Sequence, residues 1–408
     1  MNKKRLLFGL LSALAVLIFY GGALFFLLLF GGLGLFPPYV TKALTVFGPV
    51  TLLAAMAAVT GCLRPRAKRY LGYGVLAVTL GCAVFIGAGA WRESLPTVDD
   101  RELLLWDYEP FQEDSQLAEL EGPASLRFES PYDLRLDGAT ALYPVYAAFA
   151  QAVYPESWEN TGIGIDYSPY DVDGSTVVCT GTIEAYERLI TGQTDIIFAA
   201  APSQDQLDRA AAAGVELHLT PIGKEAFVFF VNHRNPVTAL TVEEVQGIYS
   251  GIITNWSEVG GKRQSIRPFQ RAENSGSQSA LLRLMEGLPL LEPEEEDRIA
   301  GMGGIIRQVA SYRNYRNAIG FSFRYYATEM VQNGDIRLLA LNGVEPTKET
   351  IRDGSYPVSA PFYAVTAAPA GQPPLEERSQ EAAAFLRWVL SPEGQTLVER
   401  TGYTAIQP

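Results

Sequence analysis

Gln270-Arg271-Ala272-Glu273-Asn274-Ser275-Gly276-Ser277-Gln278 has the composition of a helix start able to hold an anion. Ser275 and Gln278 have the capping-box spacing S-x-x-Q. A helix N-terminus carries unpaired N–H groups and partial positive charge. Gly276 lets a ligand approach the backbone closely, and Ser275 and Ser277 add hydroxyl donors. Arg271, four residues upstream, brings a planar fork of donors suited to an oxyanion. Glu273 is placed to hold that fork. A capped helix beside a surface arginine would have the same pattern, so the stretch alone does not decide between the two.

Two upstream segments repeat the logic. Asp137-Gly138-Ala139-Thr140 precedes a helix over 140–154, and Cys179-Thr180-Gly181-Thr182 precedes one over 182–191 that ends at Gly192. In open α/β sheets, ligands bind beyond the carboxyl ends of strands. Three such helix starts could converge on one anion. Around them, short apolar strands alternate with amphipathic helices. Asp195–Ala200 and Glu225–Val231 read as apolar strands, and Gln204–Ala213 as a helix stopped by Gly214. A second unit starts near Asn235. It has helices over 241–250 and 275–286, a strand over 318–323, a returning strand over 356–366 and a terminal helix over 379–390. The alternation predicts an α/β fold with a largely parallel sheet.

Upstream of this, residues 95–130 are acidic, lack periodicity and contain Pro96, Pro110 and Pro123. They are expected to form an extracytoplasmic tether that packs in part on the domain. Residues 1–94 are different again. Apolar, charge-free runs at about 6–35, 43–63 and 70–91 are each long enough to span a bilayer. Lys3, Lys4 and Arg5 resemble the start of a signal peptide, but the apolar run is too long and two more follow. Lys3–Arg5 and Arg64–Arg69 place the N-terminus and the second loop in the cytoplasm, and hence the rest of the chain outside. Cys62 and Cys82 read as membrane-embedded thiols. Cys179 reads as a buried small residue rather than a nucleophile.

Charge follows the same division. Residues 1–94 carry nine Lys/Arg and one acid, a net of +8, against −21 for the remaining 314 residues. That acidity excludes nucleic acid as a partner of the soluble part. Two histidines leave no room for a His-rich metal site, and three cysteines make no disulfide framework. The acidic run Glu292–Asp297 reads as a solvated face.

Residues from about 134 to 405 resemble the phosphate-binding protein of bacterial phosphate ABC transporters, within the type II periplasmic-binding-protein superfamily. The matching motifs are DGATALYP (137–144), GTIEAYERL (181–189), NPVTALTVEEVQGIYSGIITNWSEVGG (235–261), RAENSGSQS (271–279), AIGFSF (318–323) and GSYP (354–357). The resemblance implies a two-lobed Venus-flytrap fold, with lobe I at 131–228 and 360–408 and lobe II at 229–359. Two crossover strands would join the lobes near Phe227–Asn232 and Val358–Ala364. It implies an anion in the cleft, bound by Arg271, Ser275, Gly276 and Ser277 from lobe II. Thr140 and Ala141 would bind it from the first helix start, and Thr180 or Thr182 from the second. The family has an Asp after the strand matching Asp195–Ala200, where it accepts the ligand's proton. Here that stretch places alanine, at Ala200. Asp173, Glu184 or Glu273 could supply the carboxylate instead.

The resemblance further implies ABC permease and ATPase subunits on separate chains, with phosphate or a similar oxyanion as the solute and membrane lipid around the helices. No G-x-S-x-G elbow, H-E-x-x-H, Walker A or Rossmann fingerprint is present. His218 and His233 read as structural, and no cofactor is expected. The sequence thus predicts a non-catalytic binding protein. A membrane receptor reporting occupancy through its helices, or a binder of a different anion, are the alternatives.

Overall fold

The structure is a computed structural model that describes residues 11–32, 36–59, 64–94, 105–130, 133–156, 167–299, 302–311, 316–331 and 333–406. It divides into two compact units, residues 1–96 and 97–408.

The first unit consists of three helices: α1 (11–32, with a π-helical turn at Leu17–Gly21), α2 (Pro38–Val59) and α3 (Pro65–Ser94). Each is long and apolar enough to cross a membrane, over Leu11–Phe30, Tyr39–Val59 and Pro65–Trp91. Lys42 lies within α2, and Arg66, Lys68 and Arg69 open α3. Side chains such as Phe19, Phe25, Leu53, Val84 and Trp91 point outward, which suits hydrocarbon as solvent. Glycines set the helix spacing. A Cβ on Gly48 would collide with Leu24 of α1, and one on Gly89 with Tyr39 of α2, the close packing typical of small residues between membrane helices. Cys62 lies outside the described residues.

The second unit is a two-lobed α/β structure. Its elements run β1 (Leu136–Gly138), a 3₁₀ turn (Thr140–Leu142), α4 (Tyr143–Val153), α5 (Thr182–Ile190), β2 (Ile196–Ala199), α6 (Gln204–Ala212), β3 (Val215–Asn232), α7 (Val242–Tyr249) and β4 (Arg267–Pro268). There follow β5 (Gln270–Arg271), α8 (Gly276–Leu284), α9 (Met302–Ala310), β6 (Ala318–Phe323), β7 (Ile336–Leu338), β8 (Ser359–Pro369), α10 (Gln380–Val389) and α11 (Pro392–Thr401). The main sheet has the order β1-β2-β8-β3-β6-β4, with β7 also on β3. It is mixed rather than largely parallel. β1–β2 and β4–β6 are parallel, whereas β8 runs antiparallel to β2 and β3, and β3 runs antiparallel to β6 and β7. The local alternation of strands and helices does not carry this information, because β3 and β8 pair across more than a hundred residues of chain.

β3 is one strand serving both lobes. It pairs with β8 from Val215 to Ala226 and with β6 from Phe227 onward. The change of partner therefore falls at Ala226–Phe227, and Phe227–Val231 lies inside the second lobe's sheet rather than forming the crossover. β8 carries a register shift between Phe362 and Tyr363, within the expected 358–364.

Both faces of the sheet are covered. Along β2, Ile196 and Phe198 pack into the cluster of Tyr146, Phe149, Phe385 and Trp388, while Ile197 and Ala199 face Tyr186, Leu189 and Val365. A strand buried on both sides must be apolar throughout, as Ile196–Ala199 is. The second lobe is built around Phe227, Phe229, Tyr249, Ile306 and Phe321. Residues 105–130 lie along the first lobe. Leu105, Tyr108, Leu117 and Phe128 enter its core, and the Phe128 N–H donates to the Val153 carbonyl at 2.8 Å.

Candidate anion site between the lobes

Arg271 ends β5, a two-residue strand beside Arg298–Ile299. Gln278 fixes its backbone. The Gln278 Oε1 accepts the Arg271 N–H at 2.9 Å and its Nε2 donates to Gln270 Oε1 at 3.0 Å. Gln278 therefore does not reach back to Ser275 as a capping box would. Half of the motif holds, since the Ser275 hydroxyl accepts the Gln278 N–H at 3.3 Å. The other half is spent on clamping β5 to the start of α8.

The Arg271 guanidinium is buried, at 8% exposure, and among the described residues its Nε and Nη1 have no hydrogen-bond partner. Glu273 is exposed and forms no ion pair with it, so the expected internal clamp is absent. Burial pulls the guanidinium down to about 10, still protonated at neutral pH. Ser277, 1% exposed, likewise leaves its hydroxyl unpartnered. A buried cation and a buried hydroxyl without partners are costly.

The turn before α8 docks on the first lobe. Asn274 adopts a left-handed backbone, φ 62°, which Asn tolerates better than most residues. Its side chain accepts from the Ser203 hydroxyl at 2.9 Å and donates to Asp205 at 2.8 Å. Both partners sit at the start of α6. The start of α8 thereby faces the start of α5: a Cβ on Gly276 would lie 3.2 Å from the Thr182 hydroxyl and 3.6 Å from the Ala200 methyl. Gly181, at φ 85°, caps α5 without a side-chain bond, and Ala139 does the same for the turn opened by Thr140. Those two helix starts carry no capping side chain.

Thr182, Ala141 and Gly276 line one cavity of about 370 Å³, together with Ala200. Arg271, Ser275 and Ser277 lie outside its lining. Thr180 is turned elsewhere. Its N–H and hydroxyl donate to Asp137 at 2.9 and 2.8 Å. Asp137 is fully buried and also receives the Gly138 N–H and the Arg188 Nε, at 2.7 and 3.0 Å. Burial pushes its carboxyl up, and these donors pull it back. Thr180 thus supports the strand end, and the hydroxyl that meets Gly276 is that of Thr182. Burial also pushes the Cys179 thiol up to about 12, which makes it no nucleophile.

None of the three carboxylates considered for the missing proton acceptor lines this cavity. Glu184 and Glu273 are exposed, and Asp173 lines a separate polar pocket with Arg135 and Arg188. The acid in the wall is Glu225, at the head of the run read as wholly apolar. It is 5% exposed, accepts the N–H groups of Ala226 and Tyr325 at 2.8 and 3.2 Å, and lies 3.8 Å from the Arg324 Nε. Burial raises it to about 7. A lone Glu opening an otherwise unbroken apolar stretch was the available signal.

Two lobes sharing long crossing strands, with helix starts from each meeting over a cavity, define a bilobal binding protein. The chain belongs to the PBP superfamily, whose domain matches residues 112–393. It is 24% identical over 242 residues to the phosphate-binding protein PstS of Borreliella burgdorferi, covering 58% of this chain and 79% of that one. It is 25% identical over 234 residues to PstS of Bacillus subtilis, covering 57% and 69%. Among solved structures it is similar to an ABC-type phosphate transport receptor from Vibrio cholerae, at 21% identity and TM-score 0.46, covering 67% of this chain and 100% of that one. The expected binding protein, rather than enzyme, agrees with the name of the two PstS relatives.

Proposed function

We propose that this chain captures phosphate, or a related tetrahedral oxyanion, in the cleft between its lobes and delivers it to an ABC permease and ATPase on separate chains. Its three helices anchor it in the cell membrane, with the N-terminus and Arg64–Arg69 cytoplasmic and residues 95–408 outside. The observation that carries the reading is Arg271, a buried guanidinium with two nitrogens that have no partner among the described residues. Such a group is stabilised by an anion and by little else. Gly276 and Ser277 from α8, with Thr182 and the Thr140–Ala141 turn opposite, supply the remaining donors. Ser275 is committed to its cap and shapes the helix start. The names of the relatives favour phosphate, and the loop charges favour the topology.

Calorimetry of the full chain in detergent against phosphate and sulfate tests this, with Arg271→Ala as control. Binding at one site per chain, lost in the variant, is the expected result. Protease added to intact cells should digest residues 95–408, and protection until lysis would defeat the topology. Three helices exceed what an anchor needs, so a receptor reporting occupancy through them is the second reading. A permease gene beside this one would favour transport, and a kinase or phosphatase gene would favour sensing.

A further inference from the structure

The cavity that reaches the cradle at Gly276 and Thr182 is too large for a bare tetrahedral ion, and apart from Arg283 and Glu225 its lining carries no charge. Its volume is about 370 Å³. That lies within the ~300–1,000 Å³ of pockets that enclose organic ligands, where a water takes only ~30 Å³. Inorganic phosphate has five heavy atoms and would fill a small part of it. From Gly276, Thr182 and Ala200 the lining continues to the crossing strands through Leu142, Phe227, Phe323, Pro361 and Phe362. An ion seated at the cradle would leave those walls facing trapped water, which gains nothing from them.

The cradle's own wall agrees with the volume. At Ala200 the cavity presents a methyl group 3.6 Å from the position a Gly276 Cβ would take. A carboxylate there would accept a proton from a P–OH group. A fourth corner that is esterified or bonded to carbon has no such proton to offer, and a methyl group leaves room for the substituent. At the crossing-strand end sits Glu225, the one acid among the cavity's lining residues. It gives a polar group on the far end of a ligand something to bond with.

We infer that the ligand is an organic phosphate or phosphonate, with its tetrahedral head at the start of α8 and a compact, mainly apolar substituent filling the cavity toward Glu225. This rests on the anion reading of the Arg271 cradle and narrows it.

A ligand series on the full chain in detergent tests the inference by calorimetry: inorganic phosphate, methyl phosphate, propylphosphonate and phenyl phosphate at neutral pH. Affinity is expected to rise along the series, with phenyl phosphate at least tenfold tighter than inorganic phosphate. Ala280, one turn beyond Gly276 on α8, also lines the cavity, and Ala280→Phe, which fills it, should abolish that gain while leaving inorganic phosphate within about threefold. The wild-type series decides the matter even where that variant fails to fold. Tight inorganic phosphate with the substituted anions excluded would overturn the inference and leave the anion site standing. Absence of binding by every anion would overturn the anion site itself, and this inference with it.

Discussion

Among the buried arginines of the binding unit, Arg188 and Arg271 are buried to nearly the same degree, at 9% and 8% exposure, and their surroundings are opposite. Arg188 donates its Nε to Asp137 at 3.0 Å and its Nη1 to Gln193 at 3.3 Å. Arg271 is clamped at its backbone by Gln278, and among the described residues its Nε and Nη1 have no partner. Burial costs a charge several kcal/mol unless it is paired. The first lobe meets that cost internally, holding the end of β1 and the loop before α5 in place. The second lobe leaves it open at the start of α8. A paired buried arginine is part of the scaffold. An unpaired one is stabilised only when something negative arrives.

The largest expected effect attacks the paired side. Arg188→Met strands the Asp137 carboxylate in the core and should cost about 3–5 kcal/mol of stability. In thermal unfolding this is a drop on the order of 10 °C. The double variant Arg188→Met/Asp137→Asn should recover much of it. A drop no larger than about 1 kcal/mol would mean that Arg188 is not the partner that keeps Asp137 buried.

On the unpaired side the same change should run the other way. Arg271→Met removes a buried cation that nothing neutralises, so the unliganded protein should gain about 1–2 kcal/mol in stability. Anion affinity should fall by about 2–5 kcal/mol, and Arg271→Lys should not restore it, because a point charge cannot reproduce the fork. Destabilisation of the unliganded protein by Arg271→Met would erase the contrast between the two arginines.

The sequence carried one half of this contrast and hid the other. Ser275, Gly276 and Arg271 lie within six residues, and helix starts are local, so their arrangement could be read along the chain. Thr182 and Gly181 were legible for the same reason. The Arg188–Asp137 pair joins positions 51 residues apart, and no local pattern announces it. Gln278 kept the spacing of a capping box but went to β5, since tertiary contact overrode the local motif. Glu225 was passed over because burial at a strand crossing depends on how β3 and β8 cross, which is fixed by the antiparallel pairing that the strand–helix alternation concealed.

Glu225 is intermediate between the two arginines, with Arg324 close by but at 3.8 Å. Its folded value of about 7 stands above the ordinary 4.5. The folded state therefore holds a proton that the unfolded chain releases between those values. Its contribution to stability is complete below pH 4.5 and is lost as pH rises through about 7. Stability of the wild type should fall across that window relative to Glu225→Gln, by at most about 3 kcal/mol. Parallel denaturation curves for the two proteins from pH 5 to 8 measure it. Superimposable pH profiles would mean that Arg324 neutralises Glu225 as fully as Asp137 neutralises Arg188.

The smallest effect concerns how an anion reaches Arg271 at all. Residues 95–408 carry a net charge of −21, so the overall field repels an anion at long range. Attraction comes from local groups, Arg271, the helix start of α8 and Arg283 in the cavity lining, and it acts over a few ångströms. Salt shortens the Debye length from ~30 Å at 0.01 M to ~8 Å at 0.15 M. That change removes the distant repulsion and leaves the buried contact nearly intact. Association followed by stopped flow should therefore stay flat or quicken by roughly twofold or less across this range. Arg188→Met should follow the same curve, since its pair lies inside the scaffold. A steep slowing with salt would require a basic funnel on the surface, and the anion would then be drawn in by exposed charge rather than held by the buried Arg271.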